Sequence, residues 1–289
     1  MKKILAGKIA IITGGGRGLG RAMALGYANA GAAGILVTAA QNRDQIEATA
    51  HEINGIAGSG VALPLQADVT DRAACHDVVD IAIEKFGRVD VLINNAGLGQ
   101  GMLADDRVKF YEGNPDGWEA IVDTNINGPF NMAYAVVKTM LRQKEGKILN
   151  VTKSRSSMYR PNESPYGPTK AALEAMTLCW AQDLLDSGVT VNSIAPGGAV
   201  ETEFVLPAVR AAANQSKKPY LPAEVMVPPA VWLASDESRE ITGCRFIGSK
   251  WDPDLPAHEA AEACREAAVF LPPERDGLLT KTWETPNSL

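Results

Sequence analysis

Lys8-Ile9-Ala10-Ile11-Ile12-Thr13 runs directly into Gly14-Gly15-Gly16-Arg17-Gly18-Leu19-Gly20. The first part is a short, almost unbroken apolar run, the pattern of a parallel strand covered on both faces. The second part opens a helix that carries Leu19, Met23 and Tyr27 on one face and ends near Ala30-Gly31. Strand, glycine loop and helix together make a cradle for phosphate. Glycine lets the backbone come close to a pyrophosphate, while the open N–H groups and the positive end of the helix dipole face it. Gly14, Gly16, Arg17, Gly18, Leu19 and Gly20 are therefore candidate binding residues, and the flanking strand and helix weigh against a merely flexible loop.

Working outward, Ile35 to Ala39 is a second strand, and no acid stands between Gly14 and Arg43. Dinucleotide sites that prefer NAD place a carboxylate there for the ribose 2′-hydroxyl, whereas a cation suits a 2′-phosphate. The tip Ala40-Gln41-Asn42-Arg43, with Arg17 in the loop, favours NADP over NAD through Gln41 and the Arg43 guanidinium. An ordinary exposed charge is the plainer reading of Arg43. The spacing predicts helices over Asp44 to Asn54 and Asp71 to Phe86. It predicts strands over Ala62 to Val69, Val89 to Gly97, Lys147 to Val151, Val189 to Ile194 and Arg245 to Ile247. Alternation of this kind marks a doubly wound parallel α/β sheet in a single domain.

Ser164-Pro165-Tyr166-Gly167-Pro168-Thr169-Lys170 is expected to start a helix, with Ser164 as cap and Pro165 as its first residue. Tyr166 and Lys170 then stand at i and i+4, and an ammonium beside a phenol favours phenolate, which suits a general acid/base. The helix should carry an apolar stripe of Leu173, Met176, Trp180 and Leu184. Asn125-Ile126-Asn127-Gly128 interrupts another helical pattern, a violation that points to function. Leu98 to Trp118 reads as a loop over the site.

The net charge of −6 and the absence of Lys or Arg runs argue against nucleic acid and anionic membrane as partners. No apolar run reaches membrane-spanning length. Four scattered cysteines without paired spacing, and an N-terminus leading straight into a strand, point to a cytoplasmic protein. His51, His76 and His258 share no ligand spacing, so no metal is expected.

Taken together, these motifs resemble the short-chain dehydrogenase/reductase family over Gly7 to Gly248, with a Rossmann-type fold. The glycine loop resembles the family's T-G-x-x-x-G-x-G, Asn94-Asn95-Ala96-Gly97 its N-N-A-G, Tyr166 and Lys170 its Y-x-x-x-K, and Pro196-Gly197 its P-G turn. The resemblance implies an oxidoreductase moving hydride between a nicotinamide and a secondary alcohol or ketone. Tyr166 would exchange the proton, Lys170 would hold the ribose, and Asn125 would help a water relay. Cofactor contacts would come from the glycine loop, Gln41, Arg43, Asp68, Val69, Asn95, Ala96, Gly97, Lys170, Pro196, Gly197 and Thr202. A nucleotide-sensing protein with little turnover is the alternative.

Two departures stand out. The family's serine position, thirteen residues before the tyrosine, is Lys153 here. Ser154 is the expected replacement, with Thr152, Ser156 or a site lacking that hydroxyl as alternatives. Lys153 itself reads as an outward surface lysine or an unusual oxyanion partner. The chain also continues from residue 249 to 289, with a helix-like stretch over Glu259 to Val269, either over a substrate pocket, its own or a neighbour's, or along the surface. Pocket walls are expected from Leu98 to Lys109 and Val200 to Tyr220, with no Arg or Lys cluster, which favours a small neutral or moderately apolar substrate. The resemblance also implies a homodimer or homotetramer through Phe130 to Leu141 and Tyr166 to Leu185.

Overall fold

The computed structural model describes residues 3–200 and 220–266 of the chain. Seven strands run parallel: β1 (Ile9–Thr13), β2 (Gly34–Ala39), β3 (Ala62–Gln66), β4 (Val91–Asn94), β5 (Gly146–Val151), β6 (Val189–Ala195) and β7 (Arg245–Ile247). A short β8 (Arg265–Glu266) adds antiparallel to β7, giving the order β3-β2-β1-β4-β5-β6-β7-β8. The winding reverses between β1 and β4, so the carboxyl ends of those two strands open the crevice in which such sheets bind ligands.

Alternation along the inner strands explains the layers. Ala10 and Ile12 of β1, with Ile35 and Val37 of β2, enter one apolar cluster, and Ile9, Ile11 and Leu36 enter the other. Successive side chains point to opposite faces of a strand, so each strand must be apolar on both sides. α1 (Gly18–Asn29), α2 (Arg43–Ala57) and α7 (Val227–Ala234) cover the first face. α3 (Arg72–Phe86) and α5 (Gly128–Gln143) cover the second. α3 starts where Asp71 accepts hydrogen bonds from the amides of Ala73 and Ala74.

Three helical regions differ from the sequence expectation. The interrupted helical pattern is α4 (Pro115–Val122) joined to α5 through a π-helical turn, Asp123–Asn127, which contains Asn125. The extra backbone residue absorbs the irregularity that the Asn-x-x-Gly pattern signals. α6 (Tyr166–Asp183) begins one residue later than expected, with Pro165 in the cap position and no side-chain cap; the amides of Gly167 and Thr169 donate to the carbonyls of Glu163 and Pro165. Its buried face is not the Leu173-Met176-Trp180-Leu184 stripe but runs through Lys170, Leu173, Glu174, Thr177, Leu178 and Ala181. Half of that face is polar, which is why apolar periodicity misplaces it. In the tail, the helix expected over Glu259 to Val269 is α8 (Ala257–Cys264), and it ends where the chain turns into β8.

Candidate active site

A cleft of about 1130 Å³ lies along the carboxyl ends of the strands, from the glycine loop to the start of α6. At one end Gly14 and Gly18 have φ of +63° and +51°, a backbone that side chains rarely adopt. A Cβ on Gly20 would collide with the Gly14 carbonyl and the Asn95 amide. Those groups fix the loop: the Asn95 side chain donates to the carbonyls of Thr13 (2.9 Å) and Gly14 (3.0 Å), and the Thr13 hydroxyl accepts the amides of Asn95 and Ala96, each at 3.0 Å. Arg17, the residue capping α1, makes no side-chain cap bond, so the helix presents its dipole to the cleft. A narrow glycine cradle at a helix N-terminus at the switch point fits the pyrophosphate of a dinucleotide.

The other expected cofactor contacts divide. Gln41, Asp68, Val69, Ala96, Gly97, Pro196 and Gly197 line the cleft with the loop residues Gly14, Gly16, Arg17, Gly18 and Leu19. Asp68 is held by accepting the amide and hydroxyl of Thr70. Gly20 lies behind the loop as a packing residue. Arg43 is not brought to the cleft; it starts α2 and pairs with Glu47 at 2.7 Å on the exposed face of that helix. Thr202, like most of the wall expected from Val200 to Tyr220, lies outside the described residues.

At the reacting end, Tyr166 and Lys170 face the cleft from the first turns of α6. Lys170 donates to the Val151 carbonyl at 2.9 Å. Burial, with repulsion from Lys153, pushes its ammonium down to about 8, against a smaller opposing pull from Glu174. Tyr166 moves the other way: burial and then the Glu163 carboxylate raise its phenol above the ordinary value. The expected depression by the neighbouring lysine does not appear; desolvation dominates. Asn125 is fully buried in the π turn. Its side chain accepts the Leu98 amide at 2.8 Å and donates to the Leu98 carbonyl at 2.9 Å and to the Thr169 hydroxyl at 3.1 Å. It thereby ties the end of β4 to α6 beside Gly97, where an added Cβ would stand 3.1 Å from the Asn125 oxygen and 3.7 Å from the Lys170 nitrogen.

The segment after β5 holds what sequence reasoning missed. Lys153 is not an outward surface residue: its ammonium pairs with Glu163 at 2.6 Å and sits 4.4 Å above the centre of the Tyr166 ring. The second oxygen of Glu163 meets Arg107 at 3.3 Å. Thr152 is spoken for, donating to Glu174 at 2.5 Å and accepting from Arg245 at 3.1 Å. Ser154 lies half-buried on the cleft wall, its carbonyl accepting from Ser157. Behind the segment, fully buried Arg245 of β7 pairs with Glu174 and donates to the Lys153 carbonyl at 2.7 Å, and its Nε pairs with Glu266 of β8 at 3.3 Å. The one available signal was Glu174, four residues after Lys170 and so on the same helical face.

Comparison with known proteins agrees with this geometry. The family model for short chain dehydrogenase matches residues 8–212. The chain is 32% identical over 244 residues to the 3-oxoacyl-[acyl-carrier-protein] reductase FabG of Thermotoga maritima, covering 83% of this chain and 95% of that protein. It is 37% identical over 193 residues to the 3-oxoacyl-[acyl-carrier-protein] reductase of a Synechocystis species, covering 67% and 74%. A crystal structure of a short-chain type dehydrogenase/reductase from Mycobacterium marinum superposes with a TM-score of 0.75 at 30% identity, covering 84% of this chain and 94% of that one. The chain belongs to the short-chain dehydrogenase family of oxidoreductases.

Proposed function

We propose that this protein is an NADP(H)-dependent oxidoreductase that reduces a ketone to a secondary alcohol, with Tyr166 as the proton donor. The observation that carries the reading is half-buried Tyr166 and buried Lys170, one turn apart, at the end of a cleft whose other end is the glycine cradle. The glycine loop would hold the pyrophosphate, Asp68 and Val69 the adenosine end, and Lys170 the ribose nearest the reacting carbon. Arg17 and Gln41, with no carboxylate at the β2 tip, favour the 2′-phosphate of NADP. The cofactor supplies the hydride, and the protein supplies position and charge.

The phenol of Tyr166 is held protonated by burial and by Glu163. It is therefore a proton donor at neutral pH, which suits reduction, where the substrate oxygen gains negative charge as it accepts the proton. Ser154 would donate a second hydrogen bond to that oxygen. Lys170 replaces the donated proton through the Asn125 side of the site. The names of the relatives suggest a 3-oxo substrate class, and we extend that to this chain as a ketone reduction. Residues 1–248 would form the dinucleotide-binding and catalytic domain, with 249–289 an extension packing on the same domain or a neighbouring subunit.

The test is NADPH consumption against a panel of ketones, with Tyr166→Phe as control. Turnover should fall at least ~100-fold in Tyr166→Phe, the range expected when a positioned proton donor is removed. Tight NADPH binding with no Tyr166-dependent turnover on any ketone would replace this reading with a nucleotide sensor.

A further inference from the structure

At the reacting end of the cleft, Lys153 and Arg107 hold one buried carboxylate, and Arg160 lines the cleft beside them. Each oxygen of Glu163 already carries one cation, Lys153 at 2.6 Å and Arg107 at 3.3 Å. Arg160 lines the same wall, and its charge, like that of Arg107, works against the ammonium of Lys153. Among the described lining residues Glu163 is the one carboxylate at this end, since Asp68 lies at the adenosine end beside Ala67 and Val69. Three cations thus face one anion before Lys170 is counted. The excess is local, because the whole chain is acidic, with a net charge of −6. It arises where the 98–113 loop meets the 153–163 segment, which is why neither stretch alone suggested it; Lys153 and Arg160 lie outside the walls expected from Leu98 to Lys109 and Val200 to Tyr220.

Resting on the reading of Tyr166 as proton donor, we propose that the substrate is an anionic ketone, an oxo acid whose own carboxylate docks on Arg160, Arg107 and Lys153. A cleft lined by one sign of charge concentrates ligands of the other sign, and arginine forks match carboxylate geometry. Glu163 keeps Lys153 and Arg107 in place without cancelling the field. The Lys153 ammonium lies over the ring whose hydroxyl delivers the proton, so a carboxylate on Lys153 stands beside the reacting carbonyl, as in a short-chain oxo acid. A neutral ester leaves this charge unanswered.

The experiment compares acetoacetate with ethyl acetoacetate, and 4-oxopentanoate with its methyl ester, as substrates of the full chain with NADPH. Arg160→Gln is the variant, because Arg160 is exposed and its loss leaves the Lys153–Glu163–Arg107 triad intact. Each acid should exceed its ester in kcat/KM by at least ~10-fold, the factor expected of a charge-assisted contact. In Arg160→Gln the acid-to-ester ratio should fall ~10-fold or more, mainly through KM, and added salt should lower it as well. Calorimetric titration of acetoacetate into the NADP-saturated chain should show binding that weakens in the variant. Esters reduced as well as acids, with Tyr166-dependent turnover, would overturn the anionic substrate and leave the oxidoreductase reading standing. Acid binding that depends on Arg160, without reduction of any ketone, would support the anion site and remove the assignment of Tyr166. Acids that are neither bound nor reduced would overturn the proposal.

Discussion

Beside Tyr166, the departure from the family pattern is Lys153, flanked on one stretch of backbone by Thr152 and Ser154. Three side chains there take three directions: Thr152 inward to Glu174 and Arg245, Lys153 across Tyr166 to Glu163, and Ser154 along the cleft wall. A hydroxyl already donating to a buried carboxylate is a poor donor to a substrate oxygen, so geometry favours Ser154 over Thr152. Ser154→Ala should lower kcat at least ~100-fold if its hydroxyl stabilises the developing oxyanion. Thr152→Val should instead act on stability, measured by urea unfolding, by exposing Glu174 and Arg245 to an unmet hydrogen bond. Reversal of these two outcomes would move the role to Thr152. Tyr166 and Lys170 were legible because a spacing of four on a helix is fixed by geometry alone. The Lys153 environment was not, because its partner Glu163 lies ten residues on, and nothing in an exposed-looking loop states that it will fold back over the ring.

At the level of elements, strands were legible wherever burial on both faces forced unbroken apolar runs, as in β1 and β2. Burial of polar groups hid the inner face of α6 instead, although β5 was still read over Lys147 to Val151. β5 and α6 meet through Asn150, Thr177, Thr152 and Glu174, all buried and mutually bonded, so neither element shows a clean apolar period there. β8 is two residues long, and its place follows from Glu266 meeting Arg245 rather than from any strand pattern. β5 also carries Lys147, buried and within 3.4 Å of the Ser238 hydroxyl; burial, and then repulsion from Lys8, push its ammonium down to about 8 from the ordinary 10.5. Below that folded value the native state keeps a poorly hydrated charge. Between about 8 and 10.5 the native lysine is neutral while the unfolded one still binds a proton, so this contribution to stability rises with pH across that window. Lys147→Met, which removes the charge while keeping an apolar stem, should therefore gain most over the wild type near pH 7, and the gain should shrink by pH 10. Thermal melts of both proteins across that range provide the check, and a gap that stays constant or widens with pH would contradict the burial of a charged Lys147.

For the whole molecule, the sheet accounts for two apolar layers, yet α5 keeps a third apolar surface outside them. Phe130, Tyr134 and Leu141 are each about two-fifths exposed, at 40%, 43% and 41%. Phe130 and Tyr134 stand one turn apart, with ring centres 5.7 Å from each other, and Arg72 and Lys138 lie over their faces at 5.9 and 5.5 Å. Aromatic rings flanked by guanidinium and ammonium groups match the composition of protein interfaces more closely than that of solvated helix faces. The inner side of the same helix is fully committed to the core through Met132, Val136 and Met140, so the outer rings have no role in folding the monomer. A second copy meeting this face of α5 would bury them, and light scattering should give the mass of a dimer or tetramer. Tyr134→Asp places a carboxylate at the centre of that face without touching the core. It should shift the mass toward the monomer while the secondary structure by circular dichroism stays unchanged. A wild-type chain that is already monomeric, or a Tyr134→Asp variant that keeps the assembled mass, would show that the contact between copies lies elsewhere.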